Sequence, residues 1–167
     1  MKNLNQTDSI YIRKLKTTRV KLSKDYVVNP LSNDVKKVLN SDEAYEVLKE
    51  LYAQLDDDQE HLVMLVLNPE NHIVGFKTIS AGIQHFGSPD AKIIFRNALL
   101  LGATKIVLTH NHPSGLLTPS GGDIRFTRRM ITAGSAIDIP VADHIIFTHN
   151  GYVSMRMEEY CTFSLFA

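Results

Sequence analysis

Thr109-His110-Asn111-His112-Pro113-Ser114-Gly115-Leu116-Leu117-Thr118-Pro119-Ser120-Gly121-Gly122-Asp123 is the stretch from which the rest of this chain can be read. Just before it, Lys105-Ile106-Val107-Leu108-Thr109 is a short apolar, β-branched run that predicts a buried strand ending where the histidines begin. Side chains of an extended chain alternate between faces, so His110 and His112 point the same way. Pro113 and the Ser114-Gly115 pair end the strand, and Asp123 opens a helical pattern that continues through Ile131. Two imidazoles from a strand end and one carboxylate from the first turn of a helix can hold a divalent metal, Zn²⁺ by default, with a fourth position open for water. Ser120-x-x-Asp123 is also a capping box, with Ser120 as N-cap and the acid at the third helical position. A His-x-His pair alone is more often polar loop than ligand. The same-facing histidines, the proline stop and the loop ending in Ser-x-x-Asp together point to a metal.

His110-x-His112-Pro113, six residues, Ser120-x-x-Asp123 resembles the JAMM motif of MPN-domain metalloproteases. The fuller string, His-Asn-His-Pro-Ser-Gly through Thr-Pro-Ser-x-x-Asp, is similar to the RadC family of bacterial proteins. Gln59-Glu60-His61 with the strand after it, Ile94-Phe95-Arg96, Ala98-Leu99-Leu100, Asp143-His144-Ile145-Ile146 and Gly151-Tyr152-Val153-Ser154 extend the likeness over about residues 59–154. The resemblance implies an MPN/JAMM-like mixed sheet sandwiched by helices, with cytidine-deaminase-like layering. It also implies one zinc ion held by His110, His112 and Asp123. Glu60 falls where JAMM enzymes keep an upstream catalytic glutamate, and Ser120 where they keep a hydroxyl aimed at the oxyanion. In that setting a carboxylate outside the metal's shell moves the proton of the attacking water, and a preorganised hydroxyl stabilises the oxyanion. The Pro-Arg-Glu string usual before the family's central helix is replaced by Asp90-Ala91-Lys92-Ile93, so a substrate contact made by that arginine could be altered.

Composition narrows the class. At 167 residues the chain suits one domain with a proper core. Eighteen Lys+Arg balance eighteen Asp+Glu, which argues against the broad basic surface of a dedicated nucleic-acid binder. The single Cys161 excludes an intramolecular disulfide and a cysteine-rich zinc cluster, and reads as a small apolar residue. No signal-peptide core or membrane-length apolar run stands out, so a cytoplasmic protein with no membrane partner is expected.

Residues 1–40 form an arm in which Lys2, Arg13, Lys14, Lys16, Arg19, Lys21 and Lys24 face only Asp8 up to Lys24, with two short strands suggested between Ile10 and Leu22. Such a run is usually solvated. No helix-hairpin-helix pattern of the longer RadC proteins is visible in it, so it resembles a short form. Residues 41–167 are expected to be a single catalytic domain. Ser41 should cap a helix through Leu55 with a stripe of Ala44, Val47, Leu48, Leu51 and Leu55. Leu62–Leu67 reads as a strand buried on both faces, with a turn at Asn68-Pro69-Glu70-Asn71 and a return over His72–Ser80. Ser88-Pro89 should start a helix to Leu101, closed by Gly102. A helix over residues 122–133 and strands Val141–Thr148 and Tyr152–Met155 follow, the last two joined by a type I′ turn at Asn150-Gly151. The class is α/β (α+β), with one mixed sheet.

Other polar residues read more modestly. Asn111 and Ser114 suit loop-shaping bonds. Asp143-His144 suits a satisfied core pair, or else a pair that orients a ligand. His61, His72, His85 and His149 flank turns or strand ends and read as surface.

The leading function is a zinc hydrolase of amide bonds, acting on a peptide or protein. A facial-triad Fe(II) oxygenase is the alternative metal reading, disfavoured because those enzymes are mostly β-barrels. The His-Asn-His letters do not make an HNH nuclease, whose residues are spread over a ββα unit. From another class, a DNA-repair or mobile-element accessory protein acting by binding would draw on the basic arm and on the family's DNA-repair label. A non-catalytic MPN scaffold would generally lack the ligands that are present here.

Overall fold

A computed structural model describes residues 36–55, 58–82 and 89–163. The elements follow as α1 (Ser41–Tyr52), β1 (His61–Leu67), β2 (Ile73–Ala81), α2 (Ala91–Leu100), β3 (Lys105–Asn111), α3 (Gly121–Ser135), β4 (Val141–Thr148) and β5 (Gly151–Ser154). The strands form one sheet in the order β2-β1-β3-β4-β5, antiparallel except for the β3–β4 pair. This is the mixed, helix-covered sheet of the α+β class.

The continuous apolar runs explain the layering. Every residue of β1 and β3 is buried, which requires cover on both faces of the sheet. Leu62, Met64, Val66, Ile106 and Leu108 pack with Ile94, Phe95 and Ala98 of α2 and Phe126 and Met130 of α3. Val63, Leu65, Leu67, Val107 and Ile145 face the other way, onto Ala44, Leu48, Leu51 and Tyr52 of α1. Val38 joins that second core, and Lys37 pairs with His72 ahead of β2. On the first face α3 crosses so tightly that a Cβ at Gly134 would lie 2.4 Å from the Ile139 carbonyl and 3.0 Å from the Phe95 ring. Parallel strands need a long crossover, and α3 supplies it between β3 and β4. The crossover helix therefore begins just beyond the C-terminal end of β3.

Several local expectations are corrected. Asn40, not Ser41, caps α1, its side chain accepting from Glu43 N–H, while the Ser41 hydroxyl donates to Asp143. The helix stops at Tyr52 rather than Leu55. α2 begins at Ala91 with Asp90 as cap, so Pro89 precedes the helix, and Ser88 lies outside the described residues. Thr148 pairs with Gly151, which makes His149 and Asn150 the central turn residues. Type I′ needs positive φ at both, and neither has it; the unusual φ of +150° falls on Gly151. His61 is not a surface residue but is 5% exposed at the start of β1. The strands expected between Ile10 and Leu22, the basic arm and His85 lie outside the described residues.

Candidate metal centre

The alternation of β3 aims the site. Ile106 and Leu108 lie in the α2/α3 core, and His110 is next in that row. His112 follows one step past the strand, where its N–H donates to the Phe147 carbonyl at 3.0 Å and so prolongs the pairing with β4. Gly115, at φ +76°, turns the chain back, its N–H donating to the His112 carbonyl. The loop then reaches Ser120, whose oxygen accepts from Asp123 N–H at 3.1 Å while Asp123 Oδ2 accepts from Ser120 N–H at 2.7 Å. That reciprocal box fixes both the start of α3 and the direction of the Asp123 carboxylate.

The ligand atoms of His110, His112 and Asp123 all lie within 4.8 Å of one another. The two Nε2 atoms are 2.9 Å apart, His110 Nε2 is 3.4 Å from Asp123 Oδ1, and His112 Nε2 is 3.7 Å from Asp123 Oδ2. Bonds of about 2.0–2.1 Å at tetrahedral angles would set ligands about 3.3 Å apart. These separations bracket that value, so the group can bind a divalent metal ion.

Hydrogen bonds from behind set the tautomers such a site requires. His112 Nδ1 is 2.6 Å from the Leu116 carbonyl, which only accepts, so the proton sits on Nδ1 and Nε2 is free to ligate. His110 Nδ1 meets His144 Nε2 at 2.9 Å. His144 Nδ1 meets Thr127 Oγ1 at 2.6 Å, and that hydroxyl reaches the Asp123 carbonyl at 2.7 Å. With His110 Nε2 turned to a cation, its Nδ1–H donates to His144, His144 donates to Thr127, and Thr127 donates to Asp123. One directed chain thus ties the first ligand to the backbone of the third.

Charge at the site is polarised. Burial pushes His110 down to about 4, outweighing the attraction of Asp123. Burial likewise holds the fully enclosed His144 well below the usual histidine value. His112 is raised, first by the approach of the Asp123 carboxylate, against desolvation, with the Leu116 carbonyl and the charges of Asp123 and Glu60 adding to the rise. Burial alone would raise Asp123, but His112, His110 and Ser120 together hold it well below the carboxylate range. The carboxylate is therefore ionised, as a ligand must be.

Glu60 is exposed immediately before β1. Asn111, expected to shape a loop, is instead the buried last residue of β3. Its Oδ1 accepts from His61 N–H at 2.7 Å and its Nδ2 donates to the Gln59 carbonyl at 2.8 Å, one contact on each side of Glu60. The Ser114 hydroxyl accepts from Leu116 N–H, as a loop-shaping residue would. The side chains of Asp143 and His144 do not pair with each other. Asp143 turns to the α1 side, taking Ser41, Ser154 and the N–H groups of His144 and Arg156, while His144 turns to the ligands. Thr127 was missed altogether, because a threonine inside a helix, four residues after Asp123, gives no sequence signal for a partner on a distant strand.

The arrangement defines a class: an α+β sandwich with a candidate metal centre where a parallel strand ends and its crossover helix begins. The RadC-like JAB domain family matches residues 38–160, and the chain belongs to that family. It is 43% identical over 102 residues to a UPF0758 protein of Enterococcus faecalis, covering 61% of this chain and 44% of that one. A UPF0758 protein of Carboxydothermus hydrogenoformans is 40% identical over 121 residues, 72% of this chain and 52% of its own length. One from Desulfitobacterium hafniense is 34% identical over 142 residues, 85% of this chain and 59% of its own. The chain thus spans about half the length of these curated relatives. Among the described residues no helix is long and apolar enough to cross a membrane.

Proposed function

We propose that the protein is a zinc-dependent hydrolase of amide bonds, a metallopeptidase or isopeptidase of the JAMM type. The observation that carries this reading is the convergence of His110, His112 and Asp123 within 4.8 Å. Zinc suits two neutral imidazoles and one carboxylate with an open fourth position, and when bound it would polarise the scissile carbonyl and acidify water. Glu60 takes the proton of the attacking water and delivers it to the leaving nitrogen, and the second water proton follows, so that amide and water become carboxylate and ammonium.

Ser120 can serve two functions at once. Capping α3 uses a lone pair of its oxygen, whereas stabilising an oxyanion uses its proton. The His144–Thr127 chain keeps the His110 ring from rotating as charge develops.

Proteolysis of a peptide and isopeptide library in ¹⁸O-labelled water tests the reaction. One ¹⁸O per cleaved carboxyl, lost in Glu60→Gln while zinc is retained, is the expected result. Cleavage undiminished in Glu60→Gln would contradict the role of that residue. No cleavage of any library member by zinc-loaded protein would count against the hydrolase reading.

A further inference from the structure

The side-chain amide of Asn111 takes the two main-chain groups that a further stretch of strand would pair. The β1–β3 ladder ends at the pair Leu62 and His110. Beyond it, Asn111 Nδ2 donates to the Gln59 carbonyl and Asn111 Oδ1 accepts from His61 N–H, at 2.8 and 2.7 Å. A neighbouring strand would use the same two groups. They flank residue 60, so the main chain is held on both sides of Glu60. Just past β2, Gly82 N–H donates to the Glu60 carbonyl at 2.9 Å, and a Cβ at Gly82 would lie 2.7 Å from the Gln59 side chain. The Glu60 side chain is therefore mounted on a fixed backbone, although it is itself exposed.

We propose that Asn111 is a positioning residue that aims Glu60 at the metal centre. One short segment, His110-Asn111-His112, then carries two ligands and, between them, the group that places the base. The proposal rests on the reading of Glu60 as the base. Asparagine suits the task because it offers a donor and an acceptor at once on a short stem. Aspartate lacks the donor, and serine lacks the reach to bridge both groups.

The cobalt-substituted chain tests it, with the visible spectrum followed against pH for wild type, Glu60→Gln, Asn111→Ser, Asn111→Ala and the double variant Glu60→Gln with Asn111→Ser. A nearby negative charge raises the pH midpoint of a metal-centred ionisation, so Glu60→Gln lowers it. Asn111→Ser is expected to reproduce at least half of that shift, with cobalt stoichiometry unchanged. The double variant is expected to add nothing to Glu60→Gln alone. Hydrogen exchange at the His61 amide should quicken in Asn111→Ser and stay slow in Glu60→Gln. Asn111→Ala, which removes both groups without adding charge, should shift at least as far as Asn111→Ser, and carries the comparison if the serine variant does not fold. A shift with Glu60→Gln but none with either Asn111 variant overturns the positioning role and leaves Glu60 standing. No shift with Glu60→Gln removes the base, and the proposal with it. Loss of cobalt in both Asn111 variants would mean that Asn111 acts on the ligands instead, which also overturns it.

Discussion

His110 and His144, 34 residues apart, meet ring to ring with Nδ1 and Nε2 at 2.9 Å. The contact exists because β3 and β4 run parallel, with Leu108 opposite His144 and His110 opposite Ile146. A histidine here takes the part that a carboxylate or carbonyl often plays behind a metal-bound imidazole. Being fully enclosed and held neutral by burial, it adds orientation without adding charge.

Replacing His144 by alanine should therefore weaken metal binding by about 10–100-fold without touching a ligand. Thr127→Val keeps the volume but removes the hydroxyl between His144 and Asp123, and should weaken binding in the same direction by less. Competition with a chromogenic chelator measures both. Unchanged affinity in His144→Ala would show that the ring contact is only packing.

Metal affinity should fall as pH drops, and one histidine sets the range. His110, held at about 4, is already neutral throughout the neutral range. His112 is raised above 6.5 by Asp123, so its proton is the one a cation displaces. Above the folded value of His112 the affinity should be flat, and below it should fall about tenfold per pH unit. For the metal-free fold the sign is opposite. A raised histidine contributes stability that is fully present below its unfolded value and is lost as pH rises through the folded one. Calorimetry at several pH values reads the proton release directly, with close to one proton expected at mildly acidic pH.

Asp143 accepts four hydrogen bonds, two at each oxygen, from His144 and Arg156 N–H groups and from the Ser41 and Ser154 hydroxyls. Asparagine of the same shape would turn an NH₂ toward donors. Asp143→Asn should cost about 1–3 kcal/mol of stability and leave metal affinity unchanged, since its partners lie on the α1 side of the sheet. Denaturant unfolding and metal titration of the same sample separate the two effects.

The sequence carried the main architecture because burial on both faces writes itself as unbroken apolar runs. Leu62–Leu67 and Ile106–Leu108 are such runs. The same-facing histidines and the Ser120–Asp123 box were legible because both are local, set by strand alternation and by helix capping. What was not legible depended on register between distant segments. Asn40 and Ser41 are both good caps, and the choice between them is made by Asp143, 102 residues away, which takes the Ser41 hydroxyl. Asn111 looked like a loop residue because its partners, Gln59 and His61, are fixed only once β1 lies beside β3. The turn at His149-Asn150 followed the Thr148–Gly151 pairing rather than the Asn-Gly dipeptide.

Metal content per chain is the most direct measurement, made by elemental analysis of protein purified without added metal, beside Asp123→Ala. About one zinc per chain is expected in the parent and little in the variant, with both proteins folded. Iron in place of zinc would contradict the zinc assignment. No metal in the parent protein, even after zinc is supplied, would contradict the centre itself and leave Ser120-x-x-Asp123 as a helix cap alone.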